Sequence, residues 1–462
     1  MPKQKMSVII LAAGLGTRMK SELPKVLHKF DNLPMIILSL KSALALSPRD
    51  ITVVVGHKGE TVKSEIISWL EKNNIKFRPS FVFQKLLKGS GRAVYEAFQS
   101  QKYDGPVLIM SGDVPLLKTS TLKKLADKFN KEKSDCCVLS CEVKEVKSYG
   151  RIIRNEDGSF QAIKEASDAS DEELKINEIN SGVYIFSSSA LKKALSALKP
   201  QGPKKEYYLT DCAEIIKNNG GRISLYKIKD ELEITGVNSK KELSDLYVDS
   251  CRRKIEELYE KGVNIIDPDS VYISPMSVIG SDTVIYPGVF IRGEVKIGKN
   301  CSIGPYCVIE DCVISDGCDI KPFSCLYSSR AENSVSIGPF SHLRPQTYLC
   351  EKAKVGNFSE VKKSKIGRGS KVPHLSYVGD TVMGEKVNVG AGTITCNYDG
   401  INKNKTVIED LAFIGSNTNL VAPVKVGKGA LIAAGSTITE DVPPETLAIA
   451  RSRQIIKNKR SK

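Results

Sequence analysis

The sequence lacks any apolar run that approaches the roughly 18 to 20 residues a transmembrane helix needs. Basic residues precede an apolar segment at the N-terminus, as in a secretory leader. That segment, MSVIILAAG, continues into Gly-Leu-Gly-Thr-Arg rather than into a small-residue cleavage site. We therefore expect a buried first strand, no membrane segment and a cytoplasmic protein.

Nucleic-acid-binding signatures are also missing, although the net charge is +15. The 462 residues include one tryptophan, and no dense basic block occurs outside the C-terminal RSRQIIKNKRSK. A basic balance favours anionic partners, whether nucleic acid, acidic lipid or phosphorylated small molecules, and scattered surface lysines explain the charge better than a nucleic-acid groove does. A nucleic-acid-binding protein, argued from charge alone, stays as an alternative that salt-dependent binding to random DNA would support.

Zinc-site spacing is absent, because none of the twelve cysteines forms a C-x₂-C pair. We expect reduced, structural thiols. Cys136 and Cys137 are adjacent in a strand-like run. Two further pairs are six residues apart, which suits a structural repeat better than a metal: Cys301 with Cys307, and Cys312 with Cys318.

Two phosphate-binding motifs fail in the stretch LAAGLGTRMKSELPK, from Leu11 to Lys25. Met19 stands where the dinucleotide fingerprint needs its third glycine, and no G-x-x-x-x-G-K-[ST] is present. What remains is a glycine-rich turn whose N–H groups can face an oxyanion, with Arg18 and Lys25 to neutralise charge. The alternative is a tight turn with two surface cations.

The first half of the chain alternates strand-like and helix-like segments. The strands are MSVIILAAG, DITVVVGHK, KFRPSFVFQ and PVLIMSGDVPL, and amphipathic stretches separate them. This alternation predicts a Rossmann-like α/β domain, with helices on both faces of a mostly parallel, mixed sheet. Ligands bind beyond the carboxyl ends of strands in such folds, where both Gly14 and the SGD of residues 111–113 lie.

The second half has a different periodicity. A charged helical stretch spans residues 239–262, and aliphatic residues, mostly isoleucines, then recur every six residues. A period of six predicts a hexapeptide repeat, in which each hexad forms one side of a β-helix coil. We therefore divide the chain into domains at 1–238 and 263–462, joined by a helical linker. The period occupies two phased runs, at residues 279, 285, 291, 297, 303 and 309, and at 414, 420, 426, 432 and 438.

Motifs along the whole chain carry a more specific resemblance. LAAGLGTRM with LPK, SGDVPL, YGRII, IKEASDA, EINSGVYIF, EYYLTD and EITGVNS resemble the sugar-1-phosphate nucleotidylyltransferases. HLRP, SEVKKSKIG, HLSYVGD and VNVGAGTITCNYDG resemble an acetyltransferase. Together they are similar to the bacterial bifunctional N-acetylglucosamine-1-phosphate uridyltransferase/glucosamine-1-phosphate acetyltransferase family. The resemblance implies a left-handed parallel β-helix, a homotrimer with sites completed by neighbouring subunits, and synthesis of UDP-N-acetylglucosamine, a cell-wall precursor.

For the first half, the resemblance implies a site for UTP and N-acetylglucosamine 1-phosphate. Arg18 and Lys25 would stabilise the triphosphate, the Gln84 amide and Gly89 backbone would read the uracil edge, and Asp113 with Asn238 would hold Mg²⁺. Gly150, Glu165 and Asn180 would contact the sugar. The other implied nucleotide-binding residues are Leu11, Ala12, Ala13, Gly14, Ser90, Ser111 and Gly112.

Two departures from the family pattern leave the strictness of UTP preference open. The uracil loop reads QKLLKGSGRA, in which Lys88 and Arg92 are expected to add charge beside the nucleotide. A tyrosine common before the Gly-Asp pair is replaced by Ser111.

For the second half, the resemblance makes His374 the general base, and histidine is suited to proton transfer near neutral pH. The Ala391 N–H would stabilise the oxyanion. Glucosamine 1-phosphate would bind Arg344, Lys362, Tyr377 and Asn388. Acetyl-CoA would bind Ala391, Asn397, Tyr398, Ser416, Ala434 and Arg451, and the basic tail either helps to hold it or is a solvated terminus.

One alternative keeps the nucleotidylyltransferase but reduces the β-helix to an oligomerisation or regulatory module. His374 and its companions argue against this interpretation, because a purely structural helix does not require them.

Overall fold

The computed structural model describes residues 5–146, 149–201 and 205–458. The chain divides into two compact units, residues 1–247 and 248–462. No helix in the described ranges is both long and apolar enough to cross a membrane. The last four residues of the basic tail, 459–462, lie outside the described part.

The first unit alternates strands and helices as the sequence predicts, and α8 continues from it into the second unit. Short 3-10 helices cover Thr17–Met19, Lys25–Leu27 and Glu231–Ile234. The strands are β1 (Ser7–Ala12), β2 (Lys29–Phe30), β3 (Leu33–Pro34), β4 (Ile51–Val55), β5 (Ser80–Phe83), β6 (Pro106–Ser111), β7 (Cys136–Glu142), β8 (Arg151–Arg154), β9 (Phe160–Lys164), β10 (Glu178–Ser187) and β11 (Ile223–Ile228). The helices are α1 (Met35–Leu44), α2 (Gly59–Lys72), α3 (Ser90–Ser100), α4 (Thr119–Lys131), α5 (Asp171–Leu174), α6 (Ser188–Ala197), α7 (Thr210–Asn218) and α8 (Lys240–Glu260).

The main sheet of this unit has the strand order β11-β7-β10-β6-β1-β4-β5. Its neighbouring strands are parallel except at β10, which runs antiparallel to β6 and β7, so the predicted mixed sheet is confirmed. Residues of β1 alternate between two cores, because Val8 and Ile10 face one helical layer and Ile9 faces the other. Burial on both faces explains why the strands are nearly continuous apolar runs.

The second unit is a left-handed parallel β-helix whose strands stack in three sheets. Sheet I contains Asn264–Ile265, Val284–Ile285, Ser302–Ile303, Asp319–Ile320, Ser336–Ile337, Lys354–Asn357, Lys371–His374, Asn388–Val389, Phe413–Ile414, Leu431–Ile432 and Leu447–Ala448. Sheet II contains Tyr272–Ile273, Phe290–Arg292, Val308–Glu310, Cys325–Tyr327, His342–Leu343, Glu360–Lys362, Tyr377–Gly379, Ile394–Cys396, Asn419–Val421 and Thr437–Ile438. Sheet III contains Val278–Ile279, Lys296–Ile297, Val313–Ile314, Arg330–Ala331, Tyr348–Leu349, Lys365–Ile366, Thr381–Met383, Thr406–Ile408 and Val424–Val426.

The period of six corresponds to one inward aliphatic residue per strand. All eleven predicted hexad positions are buried in a single core that runs through the coils. The cysteines spaced by six are buried in the same core, just before strands, and all twelve cysteines are unpaired thiols. The cysteine spacing is therefore part of the structural repeat, as predicted.

One coil is longer than its neighbours. Successive sheet I residues from Ile285 to Val389 are 17 or 18 positions apart, whereas the step from Val389 to Ile414 takes 25. The additional residues form a loop over 397–405, between sheets II and III, which we call the inserted loop. The 17-residue coils, each with one side a residue short, break the strict period after residue 309, and the inserted loop interrupts it again before residue 414.

Candidate functional site

The first unit has a cavity of about 340 Å³ at the carboxyl ends of β1 and β6. These strands are adjacent and parallel, so Leu11 pairs with Ser111, and the turns that follow them meet. Ten of the predicted nucleotide-binding residues line this one cavity: Leu11, Ala12, Ala13, Gly14, Lys25, Gln84, Gly89, Ser90, Ser111 and Asp113. Gly112, between two of them, donates its N–H to the Leu11 carbonyl (2.9 Å).

Lys25 is the polar centre of this cavity. Its ammonium contacts the Asp113 carboxylate and donates to Asn238 Oδ1 at 3.1 Å. The Ser111 hydroxyl donates to the other Asp113 oxygen at 2.6 Å. The position of Lys25 depends on Gly16, because a Cβ at residue 16, where φ is +62°, would lie 2.7 Å from the Lys25 Cβ.

Asp113 and Asn238 are brought together as predicted. A side-chain oxygen of each residue contacts the Lys25 ammonium. Two backbone N–H groups hold them there: that of Val237 donates to the Asp113 carbonyl (3.0 Å), and that of Asn238 donates to the Glu242 carboxylate (2.8 Å). Two hard oxygen donors fit a Mg²⁺ ion that keeps several waters and also binds phosphate. No cluster of three or more His, Cys, Asp or Glu with metal-binding geometry occurs in the described ranges.

The loop over 84–91 forms one wall of the cavity and is fixed internally. The Gln84 side-chain N–H donates to the Leu86 carbonyl (2.9 Å), so this hydrogen bond stabilises the loop. Tyr207 donates to the Lys88 carbonyl and accepts from Gly91. Gly89 has φ +92°, and a Cβ there would lie 2.5 Å from the Tyr207 carbonyl oxygen, so this position requires glycine.

The expected effect of Lys88 and Arg92 on the nucleotide stays a prediction. Neither residue lines the cavity. Arg92 lies in α3, where it pairs with Glu96 four residues later (3.0 Å) and stacks over the Tyr95 ring (5.0 Å to its centroid). Its helical position therefore directs the guanidinium along α3 rather than toward the cavity.

The three residues predicted to contact the sugar cluster beside β8 and β10 but do not line the nucleotide cavity. Asn180 donates its N–H to the Gly150 carbonyl (2.8 Å), and Gly150 is close to the Glu165 carboxylate. Glu165 lines a second cavity of about 290 Å³ and accepts from Thr210 (3.0 Å). Burial raises the pKa of Glu165. Arg18 is exposed in the turn after β1 and has no acidic partner among the described residues.

A second candidate site lies at the corner between sheets I and II of the β-helix. His374 is the last residue of a sheet I strand and is exposed. Its Nδ1–H donates to Asn357 Oδ1 (2.6 Å) on the preceding coil. This hydrogen bond selects the tautomer whose Nε2 has a free lone pair, as a general base requires.

Three cations cluster at the other end of sheet II: Lys362 ends a sheet II strand, Arg344 follows one, and Lys403 is on the inserted loop between sheets II and III. The neighbouring Lys403 ammonium lowers the pKa of Lys362 more than any other group, and Arg344 adds a smaller effect of the same sign. Arg344 also pairs with Glu360 at 2.8 Å. A cluster of positive charges with one bound carboxylate is suited to a phosphate monoester.

The predicted sugar and oxyanion residues surround the corner at His374. Tyr377 starts the sheet II strand that follows His374, and Asn388 starts the sheet I strand of the next coil. The Ala391 N–H donates to no acceptor in the described part of the chain, so it is available to an oxyanion.

The predicted acetyl-CoA residues form a column on the coils that follow. Ser416 and Ala434 occupy the matching position to Ala391 on successive coils, and the Arg451 side chain reaches Gly435. Small, exposed residues therefore occupy this position on successive coils. Asn397 and Tyr398 begin the inserted loop, where Asn397 is buried and Tyr398 is exposed.

Comparisons with known proteins match both units of the chain. A MobA-like NTP transferase domain matches residues 8–263, and bacterial transferase hexapeptide repeats match 276–311 and 405–440. The chain is 47% identical to the bifunctional protein GlmU of Carboxydothermus hydrogenoformans, with 98% of this chain and 99% of the relative covered. For the same protein of Thermotoga maritima the identity is 45%, with 98% of each chain covered.

The chain belongs to the GlmU family. Because the similarity extends along nearly the whole length, both candidate sites lie within the part shared with the family. Fold and family are thus as the sequence predicts.

Three site residues escaped the sequence interpretation. Asn357 is 17 residues before His374, which is one coil, so the repeat itself could have placed it beside the imidazole. Lys403 had no such signal, because the inserted loop interrupts the repeat. Glu206 also lines the nucleotide cavity, and it lies in a segment to which the sequence interpretation assigned no role.

Proposed function

We propose that the chain catalyses two consecutive reactions that produce UDP-N-acetylglucosamine. The β-helix transfers the acetyl group of acetyl-CoA to glucosamine 1-phosphate. The α/β unit then joins the product to UTP and releases pyrophosphate.

In uridylyl transfer, a phosphate oxygen of N-acetylglucosamine 1-phosphate attacks the α-phosphorus of UTP, and the bond to pyrophosphate breaks. No covalent enzyme intermediate is required, so the protein acts through positioning and charge neutralisation. Lys25 and Arg18 stabilise the triphosphate, and the loop over 84–91 holds the base. Asp113 and Asn238 would hold Mg²⁺, which supplies positive charge to the phosphate oxygens when bound.

In acetyl transfer, the amine of glucosamine 1-phosphate attacks the thioester carbonyl of acetyl-CoA. His374 Nε2 accepts the amine proton, the Ala391 N–H stabilises the oxyanion, and the carbon–sulfur bond breaks as CoA leaves. Arg344, Lys362 and Lys403 bind the sugar phosphate by charge-assisted hydrogen bonds.

The observation that carries this proposal is the His374–Asn357 pair (2.6 Å between Nδ1 and Oδ1), and the cluster of three cations at the other end of sheet II supports it. A β-helix that served only for oligomerisation or regulation would need neither an oriented imidazole nor a phosphate site. The pair therefore favours the bifunctional enzyme over a nucleotidylyltransferase with a structural β-helix.

A homotrimer through the β-helix is part of the proposal, and an exposed aromatic stripe supports it. Tyr306, Phe323, Phe340 and Phe358 stack on successive coils, with ring centroids 5.0–5.3 Å apart, and each is about half exposed. An apolar stripe of this size is typical of an interface. Light scattering is expected to give three times the chain mass, whereas a monomer that acetylates at full rate would contradict the trimer.

The function is tested with the full chain, Mg²⁺, UTP, acetyl-CoA and glucosamine 1-phosphate. We expect release of CoA and pyrophosphate, with pyrophosphate release abolished when acetyl-CoA is omitted and restored by N-acetylglucosamine 1-phosphate. No CoA release from glucosamine 1-phosphate and acetyl-CoA, with pyrophosphate still released from N-acetylglucosamine 1-phosphate and UTP, would instead favour the nucleotidylyltransferase with a structural β-helix.

A further inference from the structure

A buried carboxylate lies next to the second site without a role in the chemistry described above. Asp380 is 7% exposed, and its backbone has φ +49°, a left-handed conformation that is uncommon for a residue with a side chain. It follows the sheet II strand that begins with Tyr377. A buried charge in a strained position requires compensating contacts.

Asp380 contacts both ends of the inserted loop. At the start of the loop, the buried Asn397 side chain donates to Asp380 Oδ2 (2.6 Å). At its end, Thr406 donates its N–H to the Asp380 carbonyl (3.2 Å). Asp380 also donates its own N–H to the carbonyl of Lys362 (3.0 Å), and its second carboxylate oxygen is 3.6 Å from the Lys363 ammonium.

Within these two ends, the loop is braced by its own contacts. Tyr398 and Lys403 form an antiparallel bridge. The Asp399 carboxylate accepts from the Ile401 N–H (2.8 Å), the Asn402 N–H (2.6 Å) and the Asn404 amide (3.0 Å). These contacts cross-link the loop internally, so its orientation depends on its anchors.

The orientation of the inserted loop determines the position of Lys403. Lys403 is on the inserted loop, whereas Lys362 is on the main body of the β-helix, and their ammonium groups are adjacent. Two like charges repel each other, so the backbone must hold these two groups together. Gly379 leaves room for the anchor, since a Cβ there would lie 2.8 Å from the Asn397 amide and 2.5 Å from the Tyr377 hydroxyl.

We propose that Asp380 is a positioning residue for acetyl transfer, whose carboxylate anchors the inserted loop through Asn397 and so places Lys403 beside Lys362. The inference rests on the proposed acetyl transfer and adds that the phosphate site is assembled by this anchor. Asp380 is expected to govern affinity for the sugar phosphate and not the rate of the chemical step.

The experiment compares Asp380→Ala and Asp380→Asn with wild-type protein. We expect Asp380→Ala to raise the KM for glucosamine 1-phosphate roughly tenfold or more, as loss of a hydrogen bond to a charged group does, while kcat changes less than about threefold. Asp380→Asn keeps an acceptor oxygen for Asn397 and is expected to recover most of the affinity. Asp311→Ala, at an exposed left-handed residue that follows an earlier sheet II strand, is the matched control.

Hydrogen exchange provides a readout that does not depend on activity. The Asn404 and Thr406 amides, bonded to Asn397 and Asp380, are expected to exchange faster in Asp380→Ala and not in Asp311→Ala. Unchanged exchange and unchanged KM would overturn the inference, as would a loss of kcat with KM unaltered. If wild-type protein transferred no acetyl group, the proposed function would fail, whereas the exchange data would still decide whether Asp380 anchors the loop.

Discussion

Replacement of Asn357 by leucine tests whether the imidazole of His374 must be oriented. Leucine has a similar volume but no acceptor, so the 2.6 Å hydrogen bond from Nδ1 is lost. A hydrogen bond between neutral groups contributes about 1 kcal/mol, which corresponds to about fivefold in kcat. The freed ring also populates the wrong tautomer and other rotamers, so we expect a total loss of roughly ten- to fiftyfold.

The assay is steady-state acetyl transfer, followed by CoA release, with uridylyl transfer as the control for folding. KM values for both substrates are expected to stay within about twofold, because Asn357 orients the base and is not part of the proposed substrate sites. Asn357→Asp supplies an acceptor at the same position and is expected to retain most of the wild-type kcat. Full activity in Asn357→Leu, or equal losses in both variants, would refute the orienting role.

Further predictions concern the nucleotide cavity and its surroundings. Gly89→Ala forces a Cβ against the Tyr207 carbonyl at φ +92°, which costs about 1–3 kcal/mol of strain, so the KM for UTP should rise about five- to hundredfold. The control is Gly158→Ala, at φ +79° with open space around it, which should not change that KM. Burial, aided by the Glu165 and Glu214 carboxylates, raises the pKa of Asp211 to about 6. Between about pH 4 and 6, Asp211 is therefore protonated in the folded state but already deprotonated in the unfolded state. The contribution of Asp211 to the free energy of unfolding therefore falls as pH rises through that window. Solvent screening leaves an effect of about 1 kcal/mol, so Asp211→Asn should raise the Tm by about 2–4 °C at pH 7.5 and leave it unchanged near pH 4. An equal effect at both pH values would contradict the assignment.

The predictability of the fold follows from periodic burial. The hexad isoleucines had to be buried because each strand contributes one inward side chain, and alternation of apolar runs with amphipathic segments is sufficient to indicate a sheet between two helical layers. The junction of β1 and β6 also followed, since ligands bind where parallel strands end.

The remaining features depend on contacts between distant segments, which no local pattern records. The Arg92–Glu96 pair is the one local exception, since it depends on where α3 begins, at Ser90. The Tyr207 contact that fixes Gly89 joins segments more than a hundred residues apart. Lys403 reaches Lys362 only because a non-periodic loop is anchored at Asp380.

The most direct test of the two-site account measures both reactions in His374→Ala and Asp113→Asn. We expect His374→Ala to lose acetyl transfer by at least about a hundredfold, as removal of a general base does, and to keep uridylyl transfer. Asp113→Asn is expected to do the reverse, because the proposed metal ligand and the partner of Lys25 are altered together. Acetyl transfer at the wild-type rate in His374→Ala, or equal loss of both reactions in either variant, would contradict the account.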